Sequence, residues 1–386
     1  MTRPRAQIVV ELPAIRHNVE VLREHTGVAV MTVVKADGYG HGMVPAARAA
    51  REGGAAWLGV ATIDEALELR AAGDTGRVLC WLTVPGEDYA PAIEADVDVS
   101  VYTEAELAEV VAAVRDVPAR VQIKVDTGLS RGGAAREHWD DLFGVAADHE
   151  REGSIRATGI WSHFACSDEP DHPANDAQQA AFEDALELAK SAGLEPEVRH
   201  LANSAAAILR PSARYDLVRC GLASYGLDPA PGHTPDLGDR DRPGLLPAMH
   251  VSARLALVKR IDAGAGVSYG HTWHAERPVT VGLVPVGYGD GVPRHAGNRA
   301  EVQVGARRRP VRGRVCMDQF VVELAGERDD PGATEGDDVV LFSSGLYGEP
   351  TAQDWAEWCD TISYEIVTRI GGRFERRYID EVTAGE

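Results

Sequence analysis

The sequence predicts an α/β plus β fold, an N-terminal (β/α)8 TIM-like barrel followed by a C-terminal, mostly β domain. Three observations carry that reading. Between residues 13 and 230, short apolar runs of strand length alternate with helical patterns. Near residue 240 the charged, proline- and glycine-rich stretch GHTPDLGDRDRPG breaks that beat without a periodicity of its own. Beyond it, turn signals and alternating apolar and polar positions replace helical spacing, as antiparallel strands require.

The strand-like runs, in order, are VAVMTVVK (28–35), WLGVAT (57–62), RVLCWL (77–82), VDVSVY (97–102), VQIKVD (121–126), ATGIWSH (157–163), VRHLAN (198–203) and LVRCGLASYG (217–226). Eight short buried strands separated by helices suit a barrel. The helical patterns are AIRHNVEVLREH, MVPAARAAREG, IDEALELRAAG, AELAEVVAAVRD and AQQAAFEDALELAKSAG. Several follow Thr or Asn and stop at Gly, residues that satisfy the unpaired backbone groups at helix ends. A doubly wound open sheet is the other arrangement that fits the alternation. After the break come HVSARLALVKRI, VTVGLVPVGYG, AEVQVG, RPVRGRVCMDQFVVEL and DDVVLFS, then one helix, DWAEWCDTISYEIVTRIG, and a last strand, FERRYID. The barrel is accordingly expected over 12–238 and the β domain over 239–386.

A chain of 386 residues, 44% apolar and 26% charged, has the composition of a folded, soluble protein with more than one core. Its formal net charge of −21 leaves no positive field for phosphate, so neither nucleic acid nor a membrane surface is an expected partner. The five cysteines, Cys80, Cys166, Cys220, Cys316 and Cys359, are scattered and form no CxxC pair. A disulfide framework or zinc site is not expected, and a reducing cytoplasm fits. The opening MTRPRAQIVVEL holds no long apolar stretch before a cleavage site, and no apolar run reaches membrane-spanning length.

On a barrel, chemistry collects where the strands end, at the C-terminal face. That filter selects Lys35 after the first strand, Arg131 in TGLSRGG after the fifth and His163 after the sixth. It also selects His200, Asn203 and Ser204 after the seventh, with Ser204 placed to cap the helix SAAAILR, and Arg219 and Gly221 at the eighth. The sequence has no acidic cluster with metal-binding logic, no GxSxG elbow, no GxxxxGK[ST] loop and no dinucleotide fingerprint, so no metal is expected. A lysine with arginines, histidines, a helix N-terminus and glycines suits a Schiff-base lysine beside a phosphate held by amides and a hydroxyl. Pyridoxal 5'-phosphate asks for that combination.

The motifs around these residues are KADGYGHG (35–42), KVDTGLSRGG (124–133), SHFACSDEP (162–170), HLANSAA (200–206) and VRCGLASYG (218–226), followed by VSYGHTW (267–273), GYGDG (287–291), CMDQ (316–319) and SYEIVTRIG (363–371). In this order they resemble the alanine racemase family over almost the whole chain. The resemblance implies fold-type III pyridoxal-phosphate architecture, with the first strand, in QIVVEL (7–12), joining the β domain, which thus takes in residues 1–11 as well. It implies that Lys35 carries the cofactor and is the base on the D-alanine face, while Tyr269 is the opposite base, acting on L-alanine. Arg219 would face the pyridine nitrogen with His163 and His200 around it. Tyr39, Ser204, Gly221 and Tyr364 would hold the phosphate, with Asn203 also at the cofactor. Arg131 and Met317 would contact the substrate carboxylate, with Asp318 and Tyr288 nearby. In many members the lysine of KVDTG is carbamylated and orients the arginine seven residues on; Lys124 and Arg131 keep that spacing. Tyr269 comes from the partner subunit in the family, so the resemblance also implies a homodimer with shared sites and a role in supplying D-alanine for peptidoglycan.

Racemisation asks for two bases, because the Cα proton leaves one face and returns on the other. A free lysine amine and a phenol are poor bases at pH 7, with reference pKa values of about 10, so low polarity and neighbouring cations must lower both. Arg219 does not surrender its proton, and would keep a pyridine nitrogen facing it unprotonated. Three other readings share part of the pattern. They are a broad-specificity racemase that accepts serine, a fold-type III decarboxylase, and a non-catalytic pyridoxal-phosphate carrier built from the barrel alone.

Overall fold

A computed structural model of the chain describes residues 3–239, 243–326 and 333–380. It divides into two compact units, Ile15–Gly38 with Gly42–Leu245, and Met1–Ala14 with Tyr39–His41 and Leu246–Glu386. The first strand, β1 (Ala6–Glu11), belongs to the second of these. The strands of the first unit are β2 (Ala29–Val33), β3 (Trp57–Val60), β4 (Arg77–Cys80), β5 (Asp98–Val101), β6 (Ala119–Lys124), β7 (Ile155–Trp161), β8 (Val198–His200) and β9 (Leu217–Cys220). They pair in parallel, in the order β8-β7-β6-β5-β4-β3-β2-β9. The two ends of that order meet, because Asp216 N–H donates to the Arg199 carbonyl at 3.2 Å and Arg219 N–H to that of Ala202 at 3.0 Å. The sheet therefore closes into a barrel instead of spreading open. Met31, Trp57, Leu79, Trp161 and Leu217 fill part of its core.

The helices cover the strands much as their punctuation suggests. Thr62 caps Ile63–Ala71 by accepting from Glu65 N–H, and Thr103 caps Glu104–Ala112 by accepting from Glu106 N–H. Trp139–Glu152 is a helix the sequence reading does not anticipate. Its residue before the first turn, His138, makes no side-chain cap, and Gly144 interrupts a stripe of Trp139, Leu142, Phe143, Ala146 and Ala147 that is nonetheless buried.

The second unit contains β10 (Met249–Arg254), β11 (Leu257–Ile261), β12 (Gly266–Val267), β13 (Trp273–His274), β14 (Val279–Val284), β15 (Glu301–Val304), β16 (Arg307–Arg312), β17 (Phe320–Gly326), β18 (Asp338–Phe342) and β19 (Glu375–Ile379). Among the described residues one nine-stranded sheet runs β11-β14-β17-β16-β15-β18-β10-β1-β19. β1 lies inside it, antiparallel to β10 and parallel to β19. The run DWAEWCDTISYEIVTRIG forms two helices, not one. Ala352–Trp358 ends and Ser363–Arg369 begins anew because Asp360 takes a left-handed φ of 52° between them. Of the break expected at 232–244, residues 240–242 lie outside the described residues, and 235–239 have no regular structure. No described helix is long and apolar enough to cross a membrane.

Candidate active site

β2 ends at Val33, and the chain then turns through Ala36, Asp37, Gly38 and Tyr39 with φ of 52, 53, 62 and 55°. Three side chains in the left-handed region are strained, and they persist because neighbours hold them. Asp37 Oδ1 accepts from Met43 N–H at 2.9 Å, and Glu65 Oε1 accepts from Ala36 N–H at 2.8 Å. This turn leaves Lys35 at the C-terminal end of the strand with Nζ 5.5 Å from the centre of the Trp81 ring. Burial, and then the charge of Arg131, hold its amine below the ordinary lysine range, against an opposing pull from Glu65.

Arg219, on β9, is buried and spends its terminal nitrogens on neutral partners. One donates to His200 Nδ1 at 3.0 Å and the His200 carbonyl at 3.2 Å. The other donates to the Ser162 carbonyl at 2.8 Å, His163 Nδ1 at 3.1 Å and the Leu201 carbonyl at 3.1 Å. Its Nε–H is the donor left without a partner among the described residues. Both imidazoles must offer a bare Nδ1 to a guanidinium, so both are neutral rings carrying hydrogen on Nε2. Burial and then Arg219 keep them so, holding His163 and His200 well below the usual histidine range. Burial pulls Arg219 itself down to about 9, which leaves it protonated at pH 7.

Trp161, at the end of β7, gathers these cations. Lys124 Nζ lies 4.5 Å and the Arg219 guanidinium 4.8 Å from its ring centre, and His200 stacks on it with 5.5 Å between ring centres. Lys124 is drawn down to about 8 by burial, then by Arg219 and Arg131. Arg131 itself is exposed, yet close enough to act on Lys35, Lys124 and His163.

Ser204 does not cap its helix. Asn203 does, its Oδ1 accepting from Ala206 N–H at 3.1 Å and from Ser167 Oγ at 2.8 Å. The amide side chain reaches the third helical N–H, leaving Ser204 as the first residue inside, where its Oγ accepts from Gly221 N–H at 3.0 Å. The Ser204 hydroxyl hydrogen is thus directed away from Gly221. Lys35, Lys124, Arg131, His163, His200, Asn203, Ser204, Arg219 and Gly221 all belong to the barrel unit.

The remaining candidates belong to the β unit. Tyr39 and Tyr364 pack with ring centres 6.1 Å apart. Gly40 permits this: a Cβ there would lie 2.2 Å from the Val367 carbonyl oxygen of the helix that bears Tyr364. Tyr269 is 70% exposed on a turn entered through Ser268 at φ 61°, whose Oγ donates to the Arg314 carbonyl at 2.6 Å. Tyr288 and Met317 are exposed too, on two loops joined by Tyr288 N–H to the Cys316 carbonyl at 3.0 Å and Gly289 N–H to that of Met317 at 2.9 Å. Arg373 ties both loops down, reaching Asp290 and Asp318 at 2.7 Å each.

Sequence reasoning passed over Trp81, Trp161, Asp290 and Arg373. Trp161 carried a signal, since it closes the ATGIWSH strand at the catalytic end of a barrel. Asp290 lies within GYGDG, but nothing local links it to Arg373, 83 positions away.

The chain matches the family model for the alanine racemase N-terminal domain over residues 10–229, and that for the alanine racemase C-terminal domain over 248–378. It is 52% identical over 380 residues to alanine racemase of Thermobifida fusca, covering 98% of this chain and 99% of that one. To alanine racemase of Mycolicibacterium smegmatis it is 49% identical over 377 residues, 97% of this chain and 95% of the other. The crystal structure of alanine racemase from D-cycloserine-producing Streptomyces lavendulae superposes with a TM-score of 0.93 at 50% identity, covering 99% of both chains. That of Bacillus anthracis, solved with bound L-Ala-P, gives 0.88 at 32% identity, covering 100% of this chain and 98% of that one. With both domains matched across nearly its full length, the chain belongs to the alanine racemase family, isomerases that interconvert the two enantiomers of alanine.

Proposed function

We propose that the chain racemises alanine with bound pyridoxal 5'-phosphate, passing the Cα proton between Lys35 on the D face and Tyr269 of a second copy on the L face. The observation that carries the reading is the setting of Arg219, a buried cation among neutral acceptors with only its Nε–H uncommitted. That donor suits an unprotonated pyridine nitrogen. The other donors fit the rest of the group: an amine of lowered pKa for the aldehyde, and a Ser204 hydroxyl beside the Gly221 amide for the phosphate.

The cofactor, when bound, supplies an electron-withdrawing ring that acidifies the Cα–H of an attached amino acid. Lys35 then takes or returns the proton at its Nζ, and its lowered pKa raises the share of neutral amine above that of an ordinary lysine. Tyr269 does the same from the other face. Its exposure supports a role beyond its own chain, as does that of Met317 and Tyr288 on the neighbouring loops. This is the basis for reading a homodimer with shared sites, in which Met317 meets the substrate carboxylate with Arg131, and Asp318 and Tyr288 lie close by. Tyr39, Tyr364 and Asn203 complete the hold on the cofactor, and His163 and His200 hold Arg219. Arg219 keeps its proton, so it adds none to the ring and favours return of the substrate proton over transamination or decarboxylation. Lys124, at about 8, has enough neutral amine to be carbamylated, and the resulting negative charge would orient Arg131. On this reading the domains are 12–238 for cofactor and 239–386 with 1–11 for Tyr269, and the product is D-alanine for peptidoglycan, made in the cytoplasm.

Incubating purified protein with L-alanine in D2O tests it. D-alanine bearing deuterium at Cα is expected, and no exchange with any small amino acid overturns the reading. Lys35→Ala should remove the visible absorbance of the bound cofactor. Tyr269→Phe should keep that absorbance and lower racemisation by about 10²–10⁴-fold, the scale of one general base.

A further inference from the structure

Behind Arg219 the barrel core holds a line of polar side chains. His200 Nε2 lies 2.8 Å from Gln122 Oε1, and Gln122 Nε2 donates to Asp98 Oδ1 at 3.4 Å. The Thr158 hydroxyl donates to the same oxygen, while Arg120 Nε reaches Oδ2 at 3.1 Å. Asp98, Gln122, Thr158 and His200 are all fully buried, and they come from the adjacent strands β5, β6, β7 and β8. Gly159 makes the room, since a Cβ there would lie 2.7 Å from the Gln122 carboxamide. Burial raises the Asp98 carboxyl to about 6, so it is ionised at pH 7.

Each orientation in this line dictates the next. A carboxylate only accepts, so the amide beside it turns its NH2 toward Asp98 and its oxygen toward His200. An amide oxygen only accepts, so His200 carries its hydrogen on Nε2. The ring then has a bare Nδ1, the atom that receives Arg219 at 3.0 Å. With the amide reversed, Nε2 would meet a donor, the ring would take its hydrogen on Nδ1, and that hydrogen would oppose the guanidinium. We propose that Asp98 and Gln122 are positioning residues for Arg219, acting through the tautomer of His200. The proposal rests on the function read above for Arg219, but its first readout does not.

That readout is the ring-nitrogen correlation spectrum of holoenzyme labelled with 15N-histidine, with His200 assigned by its loss in His200→Asn. The wild type should give a neutral Nε2–H tautomer. Gln122→Met, which keeps the volume and leaves Asp98 paired with Arg120, should bring in the Nδ1–H form and lower kcat about 10-fold with KM for alanine little changed, as when a partner behind a site residue is lost. Asp98→Asn should shift the tautomer in the same direction. A wild-type Nδ1–H ring, or a folded Gln122→Met protein with unchanged tautomer and kcat, overturns the proposal. If the wild type lacks racemisation, the function reading fails instead, and the tautomer pattern alone decides this one.

Discussion

Arg219 in the barrel unit and Arg373 in the β unit carry the same charge in opposite settings. Arg219 is buried among two imidazoles and three carbonyls, with no carboxylate among its partners. Arg373 is half exposed and bridges two carboxylates, Asp290 and Asp318. Burial without a counter-ion lowers the first guanidinium to about 9, whereas the hydrogen bonds that Arg373 donates to Asp290 and then Asp318 raise the second above the arginine range. Both remain cations at pH 7. A cation that no anion cancels can still act on whatever binds beside it; a cancelled one serves to hold two loops in place. The uncancelled setting is the costly one, because the desolvation of Arg219 is offset by dipoles and the face of Trp161, with no anion beside it among the described residues.

The largest effect should come from giving the buried arginine site an acid. Arg219→Glu is expected to lower racemisation by about 10²–10³-fold, on the scale of losing one preorganised charge, and to raise keto-acid release from alanine. Product analysis by chromatography checks it, and an unchanged product profile would count against the role given to Arg219. On the other side of the comparison, Asp290→Asn should cost stability, not chemistry. Asp290 is buried, but Arg373 can turn to water, so we expect about 2 kcal/mol, below the range for a fully buried pair, read by urea denaturation.

Acid should separate the two regions. His163 and His200 have folded-state values below the unfolded value of about 6.5, so the unfolded chain binds more protons and stability falls as pH drops through that value. Each contributes up to about 1.4 kcal/mol per pH unit. Asp98, raised to about 6, works the other way and regains part of that loss below pH 6. For Asp290 burial alone would raise the carboxyl, but Arg373 pulls it below its ordinary value, so its contribution is lost only as pH falls below the unfolded value of about 3.9. Hydrogen exchange, corrected for intrinsic rate, should thus show β8 and β9 weakening between pH 6.5 and 5 while residues 287–291 hold. The smallest effect is expected for Asp318→Asn. Its carboxylate is 60% exposed, and such pairs are worth below about 1 kcal/mol, so the thermal midpoint should barely move while KM for alanine rises.

Much of this molecule was legible before its structure. Seven of the eight barrel strands announced themselves because most of their residues are buried, which leaves short runs dominated by apolar side chains; in β8 Val198 is half-buried and Arg199 exposed. Thr62 and Thr103 marked helix starts because their hydroxyls answer backbone amides nearby in the chain. The helix at 139–152 was hidden because it starts without such a cap. Ser204 was misjudged as the cap because Asn203, one residue earlier, competes for the same amides and reaches them first. Gln122 shares a face with Lys124 by the two-residue period of a strand, yet nothing local says that its amide answers Asp98 on the next strand.

What the sequence determined alone was everything that depends on neighbours along the chain: strand and helix periods, most caps, the order of the motifs, and a lysine at a strand end. Closure of the barrel, the neutral ring of His200 and the contrast between Arg219 and Arg373 were decided only by tertiary structure. Each depends on which groups meet across tens of residues, and a side chain's proton, charge and orientation are set by what surrounds it in space.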